Sequence, residues 1–265
     1  MIMYQPKLRK KRNGVPIMCN GEIDAHAEEF LKDYNPSVLK TPQPVNMEEF
    51  AEFYLDLTLD YTYLSHCGMI LGRMVFQDTE RVPIYLPKEK CADYLYAKRG
   101  TMLIDNTVLE DWKEYRLRST IGHECGHWVF HSDFYAYAKN RNNQKKISAS
   151  GIVGCKKADI EGGLEINGKK RLVTDIDWLE HHAKYFSAAI LMPKTPFINA
   201  VTDLTVTPYF SESDLAEKLS GIFQVSPISA SIRLSQLGFI QYAGKNANTH
   251  DERQLNIFRQ MPGTL

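Results

Sequence analysis

Two histidines four residues apart, with a glutamate directly after the first, constrain this chain more than any other feature: His123-Glu124-Cys125-Gly126-His127. On an α-helix positions i and i+4 share a face, so both imidazoles can reach one metal ion. At 3.6 residues per turn Glu124 stands about 100° around the helix from His123, where it can flank such an ion without binding it. Two imidazole nitrogens so placed suit tetrahedral zinc, which lowers the pKa of water to about 7 and polarises a carbonyl. Glu124 can then take a proton from the attacking water and pass it to a leaving amine. The spacing therefore points to amide hydrolysis without a protein nucleophile. The competing reading is a pair of surface histidines on an amphipathic helix.

Context favours the metal. Helical spacing runs over 116–131, and Ile121, Cys125, Trp128 and Val129 offer the back of that helix to a core. Gly126 costs about 1 kcal/mol relative to alanine in a helix interior, a cost explained if the helix must stay slim beside the metal. His131 follows His127 by four and reads either as a further metal ligand or as a cation near a helix C-terminus. A catalytic zinc site needs a third protein ligand and one open position. Glu180, His181 and His182 lie together near the start of a second strong helix, which runs from about Asp177 to Leu191 and stops at Met192-Pro193. Spacing alone leaves all three as candidates.

At 265 residues the chain can bury one generous core or two modest ones. The 32 basic and 32 acidic side chains cancel, so no global field draws it to nucleic acid or an anionic membrane. The basic run Lys7-Leu8-Arg9-Lys10-Lys11-Arg12 has no long apolar stretch after it and reads as a solvated tail, not a secretory signal. No apolar run reaches the roughly 18 residues of a membrane span. A cytoplasmic protein is expected. Cys19, Cys67, Cys91, Cys125 and Cys155 lack CxxC spacing and read as reduced thiols, with Cys125 packing as a small apolar side chain.

Apolar residues at helical spacing over 23–34 (Ala27, Phe30, Leu31) and 47–57 (Phe50, Phe53, Tyr54, Leu57) predict two amphipathic helices. Asn35-Pro36 and Thr41-Pro42-Gln43-Pro44 punctuate them. Between 67 and 105, short apolar segments at 69–71, 82–86, 94–97 and 101–104 predict a small antiparallel sheet. The polar, basic stretch 139–174 reads as a surface insertion, with a hairpin around Asn167-Gly168. Residues 214–223 and 227–237 predict a C-terminal helical hairpin, with Ser213 or Asp214 as one N-cap, Ser226 as the other and Gly238 as the stop. The expected class is α+β: a helical segment over 1–65, a domain over 66–200 that carries the histidine motif and the insertion, and a helical module over 201–265.

The run Arg116-Leu117-Arg118-Ser119-Thr120-Ile121-Gly122-His123-Glu124-Cys125-Gly126-His127-Trp128, extending to His131, is followed by Glu180-His181-His182-Ala183-Lys184-Tyr185-Phe186-Ser187-Ala188-Ala189-Ile190-Leu191-Met192-Pro193. This pairing resembles the ImmA/IrrE family of metallopeptidases, over roughly 82–240 by the order and spacing of its motifs. The family's glutamate three residues before the alanine of the second motif is a zinc ligand, which implies Glu180 beside His123 and His127 and one zinc per chain. The resemblance also implies a zincin-like core, a small sheet packed on helices with the metal between two of them. Better-known members cleave helix-turn-helix repressors, releasing stress responses or mobile-element genes, so such a repressor is the implied substrate. One departure stands out. The family often has Asp or Asn directly after that alanine, where it can orient a metal-binding histidine, and this chain has Lys184. A lysine cannot accept that hydrogen bond, so another group must support the imidazole.

Several further expectations follow from the residues. His181, His182 and Tyr185 are candidate donors to a tetrahedral oxyanion. Cys155, beside Lys156 and Lys157 in the basic insertion, is a candidate thiolate latch for the open metal position. The strand at 101–104 is a candidate edge for an extended peptide. The C-terminal helices have a helix-turn-helix look, but the second offers only Arg233 as a cation while Glu212, Asp214 and Glu217 lie nearby, so direct nucleic-acid binding is not expected. Two alternatives to a peptidase are a non-catalytic zinc protein that grips a repressor or DNA, and a zinc hydrolase acting on a small molecule or cell-wall peptide.

Overall fold

A computed structural model describes residues 3–110, 114–140, 152–157, 172–205 and 211–240. Helix α1 (Asn20–Tyr34) buries Ile23, Ala27, Phe30 and Leu31, one stripe at three- and four-residue steps, and its first turn is closed by the Glu22 carboxylate accepting from the Cys19 amide at 2.7 Å. A short α2 (Ser37–Lys40) follows. The second expected helix begins as α3 (Met47–Glu49) but widens into a single π-helical turn, Phe50–Tyr54, in which the Leu55 amide reaches back to the Phe50 carbonyl at 3.0 Å. The extra residue per turn rotates the side chains out of α-helical phase. Phe50 stays fully buried, while Phe53, expected on the same apolar face, is 81% exposed.

Among the described residues six strands follow: β1 (Thr58–Thr62), β2 (Ile70–Val75), β3 (Thr79–Leu86), β4 (Cys91–Ala97), β5 (Thr101–Asp105) and, beyond the long helix, β6 (Ile152–Lys156). They form not one antiparallel sheet but two. One is four-stranded in the order β1-β5-β2-β6, and β3 and β4 pair alone. The larger sheet is mixed, because β1 runs parallel to β5, while β2 is antiparallel to both β5 and β6. Strand β5 lies inside it and is buried at every position, so it is not the expected free edge for a peptide. Strand β6 falls within the stretch expected to be a surface insertion. Its pairing with β2, and the complete burial of Cys155 on it, make this part of the stretch core. The remainder of 141–171, including the expected hairpin around Asn167-Gly168, lies outside the described residues.

A short α4 (Thr107–Glu110) follows β5, and against the sheet lies α5 (Glu114–Asn140), followed after β6 by α6 (Asp175–Leu191), α7 (Lys194–Thr205), α8 (Glu212–Phe223) and α9 (Pro227–Gln236). Helix α6 starts at an N-cap, Thr174, whose hydroxyl accepts from the Asp177 amide at 3.1 Å while the Asp177 carboxylate accepts from the Thr174 amide at 2.9 Å. The same reciprocal cap begins α8, built by Ser211 and Asp214, so the cap lies two residues before Ser213 and Asp214 becomes the third residue of the helix. Ser226 caps α9 as expected, and Gly238 ends it at φ 82°.

Small residues let α5 and α6 approach closely. A β-carbon on Gly126 would stand 3.0 Å from the Ala183 α-carbon, and one on Gly122 would stand 2.8 Å from the Ser187 hydroxyl. That hydroxyl donates to the Ser119 carbonyl at 2.9 Å, tying the two helices together. Among the described residues the larger apolar cluster runs from Val15 through Phe30, Met102, Ile121 and Phe186 to Leu234, and a smaller one joins Leu64, Val75, Val82, Ala97 and Leu103. The basic N-terminal run is not a free tail: Arg9 pairs with Glu22 at 2.9 Å, Lys10 with Asp133 of α5, and Lys11 with Asp175 of α6 at 2.8 Å. Among the described residues no helix is long and apolar enough to cross a membrane.

Candidate metal centre

Helix α5 carries His123, His127, His131 and Tyr135 at successive four-residue steps, and all four are buried. Helix α6 brings Glu180 against the first two. The Nε2 atoms of His123 and His127 are 3.0 Å apart, and the Glu180 carboxylate reaches them with Oε2 at 3.4 Å and Oε1 at 3.5 Å. Ligand atoms 2.0–2.1 Å from a tetrahedral ion stand about 3.3–3.4 Å from one another. The three side chains therefore already span one face of a metal tetrahedron, and they could hold a metal ion. Burial pushes the Glu180 carboxyl up, but His127 and His123 more than offset this and hold it well below its ordinary range. Gly126 makes the convergence possible, because a larger residue would push α6, and Glu180 with it, away from the histidines.

Glu124 lies beside this face and is completely buried. Its Oε1 accepts a hydrogen bond from the Cys155 amide of β6 at 3.1 Å, and its Oε2 has no hydrogen-bond partner among the described residues. Burial raises its pKa to about 8, further raised by Glu180 and opposed by His127, the Cys155 amide and the partly buried Arg73 of β2. The carboxylate fits only because β2 presents a glycine there: a β-carbon on Gly72 would lie 2.9 Å from Glu124 Oε1. Gly72 and Cys155 are register partners across β2 and β6, so the sheet both makes room for Glu124 and supplies its donor.

Tyr185 does not turn toward the metal position; its hydroxyl donates to Asp24 of α1 at 2.9 Å, beside the buried Arg233. His181 lies with a ring nitrogen 2.9 Å from the Asn20 side-chain oxygen. His182 is fully buried with neither ring nitrogen bonded to a described residue, and its ring centroid is 5.8 Å from that of His131. Burial, His181, His127 and Lys11 lower its pKa to about 4, so it is neutral. His131 does not join the His123, His127 and Glu180 cluster; its Nδ1 lies 2.9 Å from His127 Nδ1. Cys155 is in a buried strand, not a surface loop, and its sulfur lies within 4.8 Å of ligand atoms of His123 and Glu124. The latch reading thus loses its flexible carrier. Cys125 is buried on the back of α5, where burial and Glu124 raise its pKa, in keeping with a packing role.

Three contributors escaped the sequence reading. Gly72 and Arg73 belong to a strand whose place beside Glu124 depends on tertiary pairing. Tyr135 was legible as the fourth rung of the ladder begun by His123. Its ring stacks on Phe76 at 4.4 Å, and burial, then Glu180 and Glu124, raise its pKa, so its phenol lies within the field of both carboxylates.

In comparisons with known proteins, no family model and no curated protein matches the chain.

Proposed function

We propose that this chain is a zinc-dependent endopeptidase in which His123, His127 and Glu180 hold the metal and Glu124 moves the proton. The observation that carries this reading is the buried carboxylate of Glu124 beside a three-ligand face, with one oxygen fixed by the Cys155 amide and the other unbonded. A purely structural metal site needs no such group. When bound, zinc supplies Lewis-acid chemistry, polarising a carbonyl and acidifying water. Glu124 accepts the proton of the attacking water on its unbonded oxygen and delivers it to the departing amine. Its raised pKa suits both halves of that exchange, because a base must later act as an acid at the same pH. Tyr135 is the proposed donor to the oxyanion, in place of His181 and Tyr185, whose polar atoms are engaged elsewhere.

The resemblance to ImmA/IrrE peptidases supports a helix-turn-helix repressor as substrate and a zincin-like arrangement of the core. A DNA-binding alternative loses support from Arg233, the one cation of α9, which is fully buried and pairs with Asp24 at 2.6 Å. The reading is tested by incubating the zinc-loaded protein with a helix-turn-helix repressor encoded beside its gene and identifying fragments by mass spectrometry. Glu124→Gln should retain zinc and lose cleavage by a factor of about 10² or more. Stoichiometric repressor binding without fragments would favour the non-catalytic regulatory protein. Full cleavage by Glu124→Gln would remove Glu124 from the chemistry.

A further inference from the structure

We infer that His131 is the residue that positions His127 for the metal, accepting a hydrogen bond from the His127 Nδ1–H and thereby keeping the proton off His127 Nε2. The inference rests on the metal-centre reading and extends it to the layer behind the ligands. Between two Nδ1 atoms 2.9 Å apart, one must donate and the other accept. If His131 donated, a neutral His127 would carry its proton on Nε2, the atom that faces His123 Nε2 at 3.0 Å and Glu180 Oε1 at 3.5 Å. That proton would occupy the position the metal needs. With His131 as acceptor, His127 presents a lone pair there instead, and the ring's rotation is fixed.

Three observations make His131 suitable. It is completely buried on the same helix as His127, one turn on, so its geometry is set by α5 itself. Its Nδ1 is the atom that faces His127 Nδ1 at 2.9 Å, so in its Nε2-protonated tautomer its lone pair meets the His127 donor. Its own proton then resides on Nε2, which has no bonded partner among the described residues. His182, with both ring nitrogens likewise unbonded and its ring 5.8 Å away, is the group placed to receive that donor, directly or through solvent. The chain thus answers the lysine at position 184: direct support for the His127 imidazole comes from α5 through His131, with His182 of the second motif behind it.

The test is a chelator-competition titration of the metal-free full chain with zinc, comparing wild type, His131→Leu, His131→Asn and His123→Ala. It is combined with ¹⁵N NMR of the histidine tautomers in the wild type. An asparagine oxygen stands where the histidine Nδ1 stood and still accepts, whereas leucine fills similar space and cannot. His131→Leu should weaken zinc binding by about 10–100-fold, and His131→Asn should recover most of that loss. The wild-type spectrum should show His131 protonated on Nε2 and His127 on Nδ1. Wild-type-like affinity in His131→Leu, equal weakening in both variants, or a proton on His131 Nδ1 would overturn the inference. The spectrum needs no variant to fold. His123→Ala separates the two levels. If it loses zinc while His131→Leu does not, only the role of His131 fails; if it binds zinc like the wild type, the metal centre fails as well.

Discussion

Burial opposes ionisation at Glu124, and the metal-free protein should reveal this as a pH-dependent stability. Its carboxyl is raised from 4.5 to about 8, so the folded chain keeps a proton that the unfolded chain has already released. Folding stability from this group is therefore complete below pH 4.5 and is lost as pH rises toward 8. His131 and His182 act in the opposite sense: their pKa values are lowered, so they cost stability at acid pH, a cost that disappears as pH approaches their ordinary value of 6.5. Between pH 6.5 and 8 the Glu124 contribution stands apart. Denaturant titrations of the metal-free wild type should show a falling midpoint across that window, and Glu124→Gln should remove the fall. An equal decline in the variant would mean that another group titrates there. At this scale the sequence was most legible where chemistry depends on local spacing. His123, Glu124 and His127 needed only the helical period. The state of Glu124 did not follow from spacing, because its burial and its Cys155 donor come from strands distant in sequence.

The pair α5 and α6 positions His123, His127 and Glu180, and its close approach depends on Gly122, Gly126, Ala183 and Ser187. Gly126→Ala gains about 1 kcal/mol of helix propensity, but its new carbon would meet the Ala183 backbone, an overpacking that costs typically 1–3 kcal/mol. The expected net effect is a loss of up to about 2 kcal/mol in stability, together with weaker zinc binding as Glu180 is pushed back. A variant that is stabilised and binds zinc as tightly as the wild type would show that the helices have room to spare. Both helices were legible from periodicity, as was the C-terminal hairpin, although α5 is buried on all sides over 119–127 and not along one stripe. The sheet was legible only in part. Strand β1 carries Asp60 and Thr58 among its few apolar residues, and β6 sits in a polar, basic stretch, so neither shows the alternation that announces a strand. Their identity comes from pairing with β5 and β2, a long-range fact. The π-helical turn at Phe50–Tyr54 was hidden for the opposite reason, since its residues match a helical period until one extra residue shifts the phase.

On the scale of the molecule, a buried polar knot ties α1 and α9 to α6, the helix that carries Glu180. Asp24 of α1 accepts from Arg233 of α9 at 2.6 Å and from Tyr185 of α6 at 2.9 Å, and Arg233 also donates to the Met192 carbonyl at 3.0 Å. Removing one partner strands a charge in the core, so Asp24→Ala should cost about 3–5 kcal/mol, whereas replacing both as Asp24→Leu with Arg233→Met should cost clearly less. A double variant as unstable as the sum of the single changes would show that the knot is worth more than its removal. Helices so fixed hold Glu180 against His123 and His127 before any ion arrives. The central claim, that these three residues form the metal centre, is tested most directly by X-ray absorption at the zinc edge of the loaded protein. The expected first shell is two imidazole nitrogens and carboxylate oxygen at about 2.0–2.2 Å, with a carboxylate contribution that disappears in Glu180→Ala. A sulfur shell at about 2.3 Å, or a spectrum unchanged by Glu180→Ala, would contradict it.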